Sequence, residues 1–156
     1  MRLTVLCVGR TREAFIREGL DKYLRFLRPY AAVELRELRE ERIEDLRDAP
    51  RVRQREAERI LKALPPGAAA VALDERGREF TSHEFAEHLN KFLEGGGRDL
   101  AFIIGGAMGL DESVTSRAGT VLALSRWTFT HEMARLVLLE QLYRAFTIIK
   151  GKTYHY

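Results

Sequence analysis

Two periods of apolar spacing alternate along this chain. Short aliphatic and β-branched runs, "RLTVLCV" (2–8), "AAVELREL" (31–38), "AAAVALD" (68–74), "DLAFIIGG" (99–106) and "GTVLALS" (119–125), predict strands. Between them apolar residues recur every three or four positions, which predicts helices. Residues 12–28 place Phe15, Leu20, Tyr23, Leu24 and Leu27 at that spacing, ended by Pro29. Val52, Ala57, Ile60, Leu61 and Leu64 form the next helical face, stopped by Pro65-Pro66. Thr81 and Glu84 have capping-box spacing and open a third helix, which ends at the glycines 95–97. Asp111 can cap a short fourth helix. A long fifth helix runs from His131 to about Lys150. The segment "ERGREF" (75–80) reads as a polar turn. Strands alternating with helices predict an α/β fold, a mostly parallel sheet with helices on both faces, in one domain spanning 1–156.

The fifth helix departs from the usual amphipathic pattern. Residues 136–139 are all apolar, as are Leu142, Tyr143, Ala145, Phe146, Ile148 and Ile149. A helix covering one sheet face needs a single apolar stripe. This one is apolar most of the way round, so a second surface is expected to bury it, and a second copy of the chain is the favoured candidate.

Composition narrows the classes. The longest apolar run, "LAFIIGGAMGL", is too short to span a membrane, and the N-terminal run is too short for a signal peptide. The single Cys7 cannot form an internal disulfide and suits a reduced, cytoplasmic setting. Net charge is +3, unevenly spread. Residues 1–66 carry 16 basic and 12 acidic side chains, and residues 67–156 carry 10 and 11. The charged stretch 36–56 reads as a solvated face. From Gln141 onward there is no acid, but Arg144, Lys150 and Lys152 are present. This balance permits a nucleic-acid partner without requiring one.

Candidate chemistry centres on two places. "IIGGAMGLDESV" (103–114) pairs glycines at the end of a strand. A dinucleotide fingerprint needs G-x-G-x-x-G after the first strand. Here the spacing is G-G-x-x-G after the fourth, which excludes that phosphate reading. A tight turn and a flat ligand held by backbone groups both remain open. The second place is the C-terminal "YRAFTIIKGKTYHY", where aromatics interleaved with cations suit stacking on unpaired bases. A tail docked on the core is the equal alternative. His83 and His88 are five apart, not at metal-binding spacing, and no metal set is expected. Ser125 lacks a nucleophile elbow.

Three segments carry a family resemblance: "RLTVLCVGR", "FIIGGAMGL" and "ALSRWTFTHEMARLVLLEQLYRAFTIIKGKTYHY". Together they resemble the RlmH family of SPOUT methyltransferases over essentially the whole chain. The resemblance implies a cytoplasmic homodimer with a C-terminal trefoil knot. It also implies methyl transfer from S-adenosylmethionine to N3 of a pseudouridine in helix 69 of 23S rRNA. By matching position, the cofactor would contact Leu73, Gly105 and the loop Leu124, Ser125, Arg126, Trp127, Thr128 and Phe129. Where relatives often carry proline before the last helix, this chain has Thr130, which can cap the helix instead.

The catalytic candidates are Tyr154, to stack or hydrogen-bond, His155, as base, and Arg144, to steady the uracil oxygen or a phosphate. His131 and Arg135 are expected to shape the same site. Arg144 also has a plain structural role open to it, as an i,i+4 partner of Glu140. Other readings are a SPOUT enzyme acting on another RNA such as tRNA, a non-catalytic ribosome-binding factor, and a flavodoxin-like electron carrier.

Overall fold

A computed structural model gives the structure of residues 1–154. Eleven elements follow one another along the chain. They are β1 (Arg2–Val8), α1 (Ala14–Leu27), β2 (Ala32–Leu38), a short 3₁₀ turn (Leu46–Asp48), α2 (Ala49–Ala63), β3 (Ala69–Glu79), α3 (Ser82–Glu94), β4 (Leu100–Ile104), α4 (Glu112–Arg117), β5 (Thr120–Ala123) and α5 (His131–Ile149). The strands form one parallel sheet in the order β2-β1-β4-β3-β5.

The two helix layers follow from period-2 alternation in the central strands. Leu3, Val5 and Cys7 of β1, with Phe102 and Ile104 of β4, pack under α1, α3 and α5. Leu6, Val8 and Ile103 point the other way, against Ala57 and Ile60 of α2 and Val114 of α4. Sequence capping signals are realised. Thr81 and Glu84 form a reciprocal capping box, Asp111 accepts from Ser113 N, and Thr130 accepts from Met133 N. Thr130 therefore does the work expected of it in place of proline.

Three expectations require correction. The segment 75–79 is not a free turn, because β3 continues through it and pairs with β5 after a bulge between Leu73 and Arg78. Asp74 drives the bulge by bonding both Arg76 N and Arg76 Nε at 2.9 Å. Gly77 permits it: a Cβ there would lie 2.7 Å from the Val121 carbonyl. The apolar ring of α5 also finds its partners inside the chain. This helix is the middle one of its layer, packed between α1 and α3 and over the sheet. The ring therefore loses its force as an argument for a second copy. The charged stretch is not uniformly solvated either, since Glu56 within it is only 4% exposed.

Candidate active site at the carboxyl edge of the sheet

Strand register brings the first group of candidate residues together. Leu73 of β3 lies opposite Ile104 of β4 on one side and Leu122 of β5 on the other. Three neighbouring strands thus meet in one row, where β4 ends and β3 bulges before running on beside β5. Gly105 follows Ile104 by one residue and Leu124 follows Leu122 by two. Carboxyl ends of parallel strands are where such sheets place ligands. Leu73, Leu124, Ser125 and Phe129 are half-buried, and Gly105 is buried. Arg126, Trp127 and Thr128 are exposed. A cavity of about 300 Å³ opens beside Leu124, lined also by Phe80, Ser82, Phe85 and Gln141. The larger cavity, about 350 Å³, lies at the opposite edge of the sheet against Arg2, Arg28 and Glu34 and touches none of the candidate residues.

The glycine pair has a local explanation. Gly109 N bonds Gly106 O at 3.0 Å and closes a tight turn. A Cβ on Gly105 would sit 3.0 Å from the Gly109 carbonyl and from Leu110 Cδ2. On Gly106 it would meet Val8 Cγ1 and Glu56 Oε2 at 3.2 Å. Close packing against the turn at Gly105, and against Val8 and Glu56 at Gly106, therefore favours glycine at both positions without any ligand. Gly105 follows Ile104, the register partner of Leu73, and bare backbone next to an apolar side chain fits the flat, weakly polar adenosine part of a ligand. Burial raises the Glu56 carboxyl above its ordinary range, opposed in part by the Glu41 N–H bonded to Oε1 at 3.0 Å.

The loop 124–129 is pinned rather than slack. Ser125 Oγ accepts from Trp127 N at 3.0 Å. Arg126 pairs with Glu79 at 3.1 Å, and Thr128 Oγ1 donates to Glu75 at 3.2 Å. Both carboxylates come from the β3 extension that sequence patterning assigns to a turn.

Beyond this loop, the start of α5 locks onto the loop after β1. Arg135 is fully buried and donates to Val8 O and Thr11 Oγ1, both at 2.8 Å, with Glu37 3.7 Å away. Glu132 Oε1 accepts from Arg12 N at 2.6 Å and Glu13 N at 3.0 Å. Burial alone would raise the Glu132 carboxyl, but these N–H donors and the Arg135 cation hold it low. Burial, then the Arg135 cation, lowers the His131 imidazole, so it is neutral at pH 7. Burial pushes the Cys7 thiol up to about 12, which makes it an inert core group. Pattern reasoning reached His131 and Arg135 but missed Glu37, Thr11 and Glu132. Only their contacts across roughly 100 or more residues of chain give them away.

The catalytic candidates lie elsewhere. Arg144 pairs with Glu140 at 2.7 Å in the i,i+4 manner. Its guanidinium sits 4.9 Å from the Tyr154 ring centre, and Tyr154 packs edge-on against Tyr143 at 4.6 Å. The Tyr154 hydroxyl reaches Glu140 at 3.3 Å and Tyr23 at 3.5 Å. Burial, the Tyr23 hydroxyl and the Glu140 carboxylate all raise this phenol, so it is a donor and not a base at neutral pH. His155 lies outside the described residues. Arg144 is 13 residues down α5 from His131, about 20 Å at 1.5 Å per residue. Phe146 there stacks at 5.5 Å on Tyr30, which precedes β2, so this end of α5 marks the amino edge of the sheet. One chain therefore assembles the Leu73–Gly105–Leu124 row and the Arg144–Tyr154 pair at opposite edges.

A parallel sheet with a ligand-ready row at its carboxyl edge defines a broad class, and comparison with known proteins narrows it. The model of the family described as "Predicted SPOUT methyltransferase" matches residues 1–155. The chain belongs to the SPOUT methyltransferases, enzymes that take a methyl group from S-adenosylmethionine. It is similar to "Ribosomal RNA large subunit methyltransferase H" of Geotalea daltonii, 46% identical over 156 residues and covering 100% of both chains. The protein of the same name from Symbiobacterium thermophilum is 46% identical over 160 residues, covering 99% of each. Among solved structures, a "probable rRNA-methyltransferase" from Porphyromonas gingivalis superposes with a TM-score of 0.56 at 18% identity. The match spans 95% of this chain and 69% of that one. At that identity the likeness speaks for the fold alone.

Proposed function

We propose that this chain, as one SPOUT domain over 1–156, transfers the methyl group of S-adenosylmethionine to N3 of a pseudouridine in helix 69 of 23S rRNA. The reading rests on full-length similarity to large-subunit rRNA methyltransferases, and the single structural observation that carries it is the row at the carboxyl edge. Leu73, Gly105 and the loop 124–129 hold the donor there: Leu124, Ser125 and Phe129 through their half-buried side chains, and Arg126, Trp127 and Thr128 through their backbone groups. When bound, S-adenosylmethionine supplies an electrophilic methyl with its own leaving group, so no covalent enzyme intermediate is required. The chain's task is to align the acceptor base and assist loss of the N3 proton. Alignment is worth up to roughly 7–11 kcal/mol in ideal cases, and base assistance about 10²–10⁴-fold.

Tyr154 and Arg144 are the proposed acceptor contacts, with His155 as base. Their distance from the row within one chain supports a homodimer, in which one subunit's tail closes over the row of the other. A knotted C-terminal segment, cytoplasmic location and a basic surface shared by two subunits complete the proposal. Mass mapping of 23S rRNA from cells lacking this protein tests it. The helix 69 pseudouridine should lose one methyl, and an unchanged mass would overturn the assignment. Deleting Thr153–Tyr156 should abolish methylation while calorimetric binding of S-adenosylmethionine persists. Full activity of that truncation would end the tail's catalytic role. Full turnover by a monomer, read by sedimentation and activity together, would end the dimer's.

A further inference from the structure

Trp127 is the one tryptophan in the sequence, and it is 80% exposed. An indole carries a large apolar area that folding ordinarily buries. The exposure is not slackness of the loop. Ser125, Arg126 and Thr128 around it are each hydrogen-bonded, the last two to Glu79 and Glu75, and Thr130 caps α5 just beyond. The Trp127 N–H is held by Ser125 Oγ, and the side chains on either side are engaged, while the indole is left projecting.

We propose that Trp127 is a stacking platform for an unpaired base of the RNA acceptor, next to the nucleotide that receives the methyl group. The proposal rests on the RNA reading above. Three observations select a base as the occupant. The loop borders the Leu73–Gly105–Leu124 row, where acceptor RNA must come closest to the donor. The indole stands singly, flanked by Arg126 and Thr128, whereas a subunit interface needs a contiguous apolar patch. Its cationic neighbour, Arg126, pairs with Glu79 only at the exposed surface, a weak contact that can exchange for a phosphate while the ring stacks, the usual pairing of roles in binding of unpaired nucleotides. The indole's outward direction is also compatible with the loop backbone facing the donor.

The test compares wild type, Trp127→Ala and Trp127→Phe. Methyl transfer is measured from labelled S-adenosylmethionine to large ribosomal subunits purified from cells lacking this protein. Loss of one base–aromatic stack predicts that Trp127→Ala lowers kcat/KM for the subunits by roughly 5- to 150-fold, mostly through KM, with Trp127→Phe recovering most of it. Calorimetric affinity for S-adenosylmethionine and the sedimentation coefficient should match wild type. Unchanged kcat/KM in Trp127→Ala overturns the proposal. A parallel loss of donor affinity makes the indole a cofactor wall instead, and a changed sedimentation coefficient makes it a subunit contact. Either result also overturns it. Inactivity of the wild type on every ribosomal substrate would instead overturn the rRNA reading itself.

Discussion

The two ends of α5 are held by different physics. At its start, a fully buried guanidinium and a carboxylate tie the helix to the loop after β1, across more than 100 residues of chain. Just beyond its far end, Tyr154 lies half-exposed on Tyr143, Arg144 and Glu140 of the helix's own last turns, with one long hydroxyl contact to Tyr23 of α1. A fully buried cation such as Arg135 holds its partners firmly, because breaking the set strands a buried polar group. A surface aromatic contact of this kind exchanges readily with water or with another partner. The fixed end adjoins the proposed donor row. The lightly held end carries the groups proposed to act on the acceptor.

Mutations should separate the two ends. The largest effect is expected from Arg135→Met, which strands the Val8 carbonyl and leaves Thr11 and Glu37 without their cation. Chemical denaturation should show a loss of about 3–5 kcal/mol. Glu132→Ala removes the acceptor of two solvent-exposed backbone N–H groups, and a loss of about 0.5–1.5 kcal/mol is expected from the same measurement. Tyr154→Phe should change stability by less than about 0.5 kcal/mol, since it removes only two long hydrogen bonds at the surface. If Tyr154→Phe cost as much as Arg135→Met, the contrast between the ends would fail.

A subtler difference lies in pH. His131 is shifted below its ordinary 6.5, so the unfolded chain binds more protons there as pH falls past that value. Stability from this end is therefore lost on acidification below 6.5, and His131→Gln should flatten the decline of Tm. Glu132, held below its ordinary 4.5, extends the loss to lower pH. Tyr154 is shifted above its ordinary 10.0, so the folded chain keeps a proton that the unfolded chain releases as pH rises past 10.0. Its contribution is lost on the alkaline side, and Tyr154→Phe should flatten that limb alone. Acid sensitivity at the tail, or alkaline sensitivity at the helix start, would contradict the assignment.

Much of the architecture is legible in the residues because it depends on local rules. Period-2 runs mark the strands, and Thr81, Asp111 and Thr130 mark helix starts by hydrogen bonds that reach only two or three residues along the chain. The segment 75–79 defeats such reading. Its polarity is that of a turn, and only the approach of β5, accommodated by Gly77, makes it a strand. Gly105 and Gly106 are visible as a tight place in the sequence, but the atoms that make it tight belong partly to Val8 and Glu56, far away in the chain.

By itself the sequence determined the α/β alternation, the caps, the burial of Cys7 and, through its family resemblance, a methyltransferase. These follow from short-range sterics, side-chain reach and hydrophobic period, or from kinship. The family resemblance already grouped Leu73, Gly105 and Leu124 around one cofactor at strand ends; tertiary structure alone decided that β4, β3 and β5 lie side by side there, that Arg144 and Tyr154 occupy the other edge, and that Trp127 is exposed. Strand order and register are settled by packing between segments remote in the chain. A spacing along the sequence carries no information about which strand ends lie side by side.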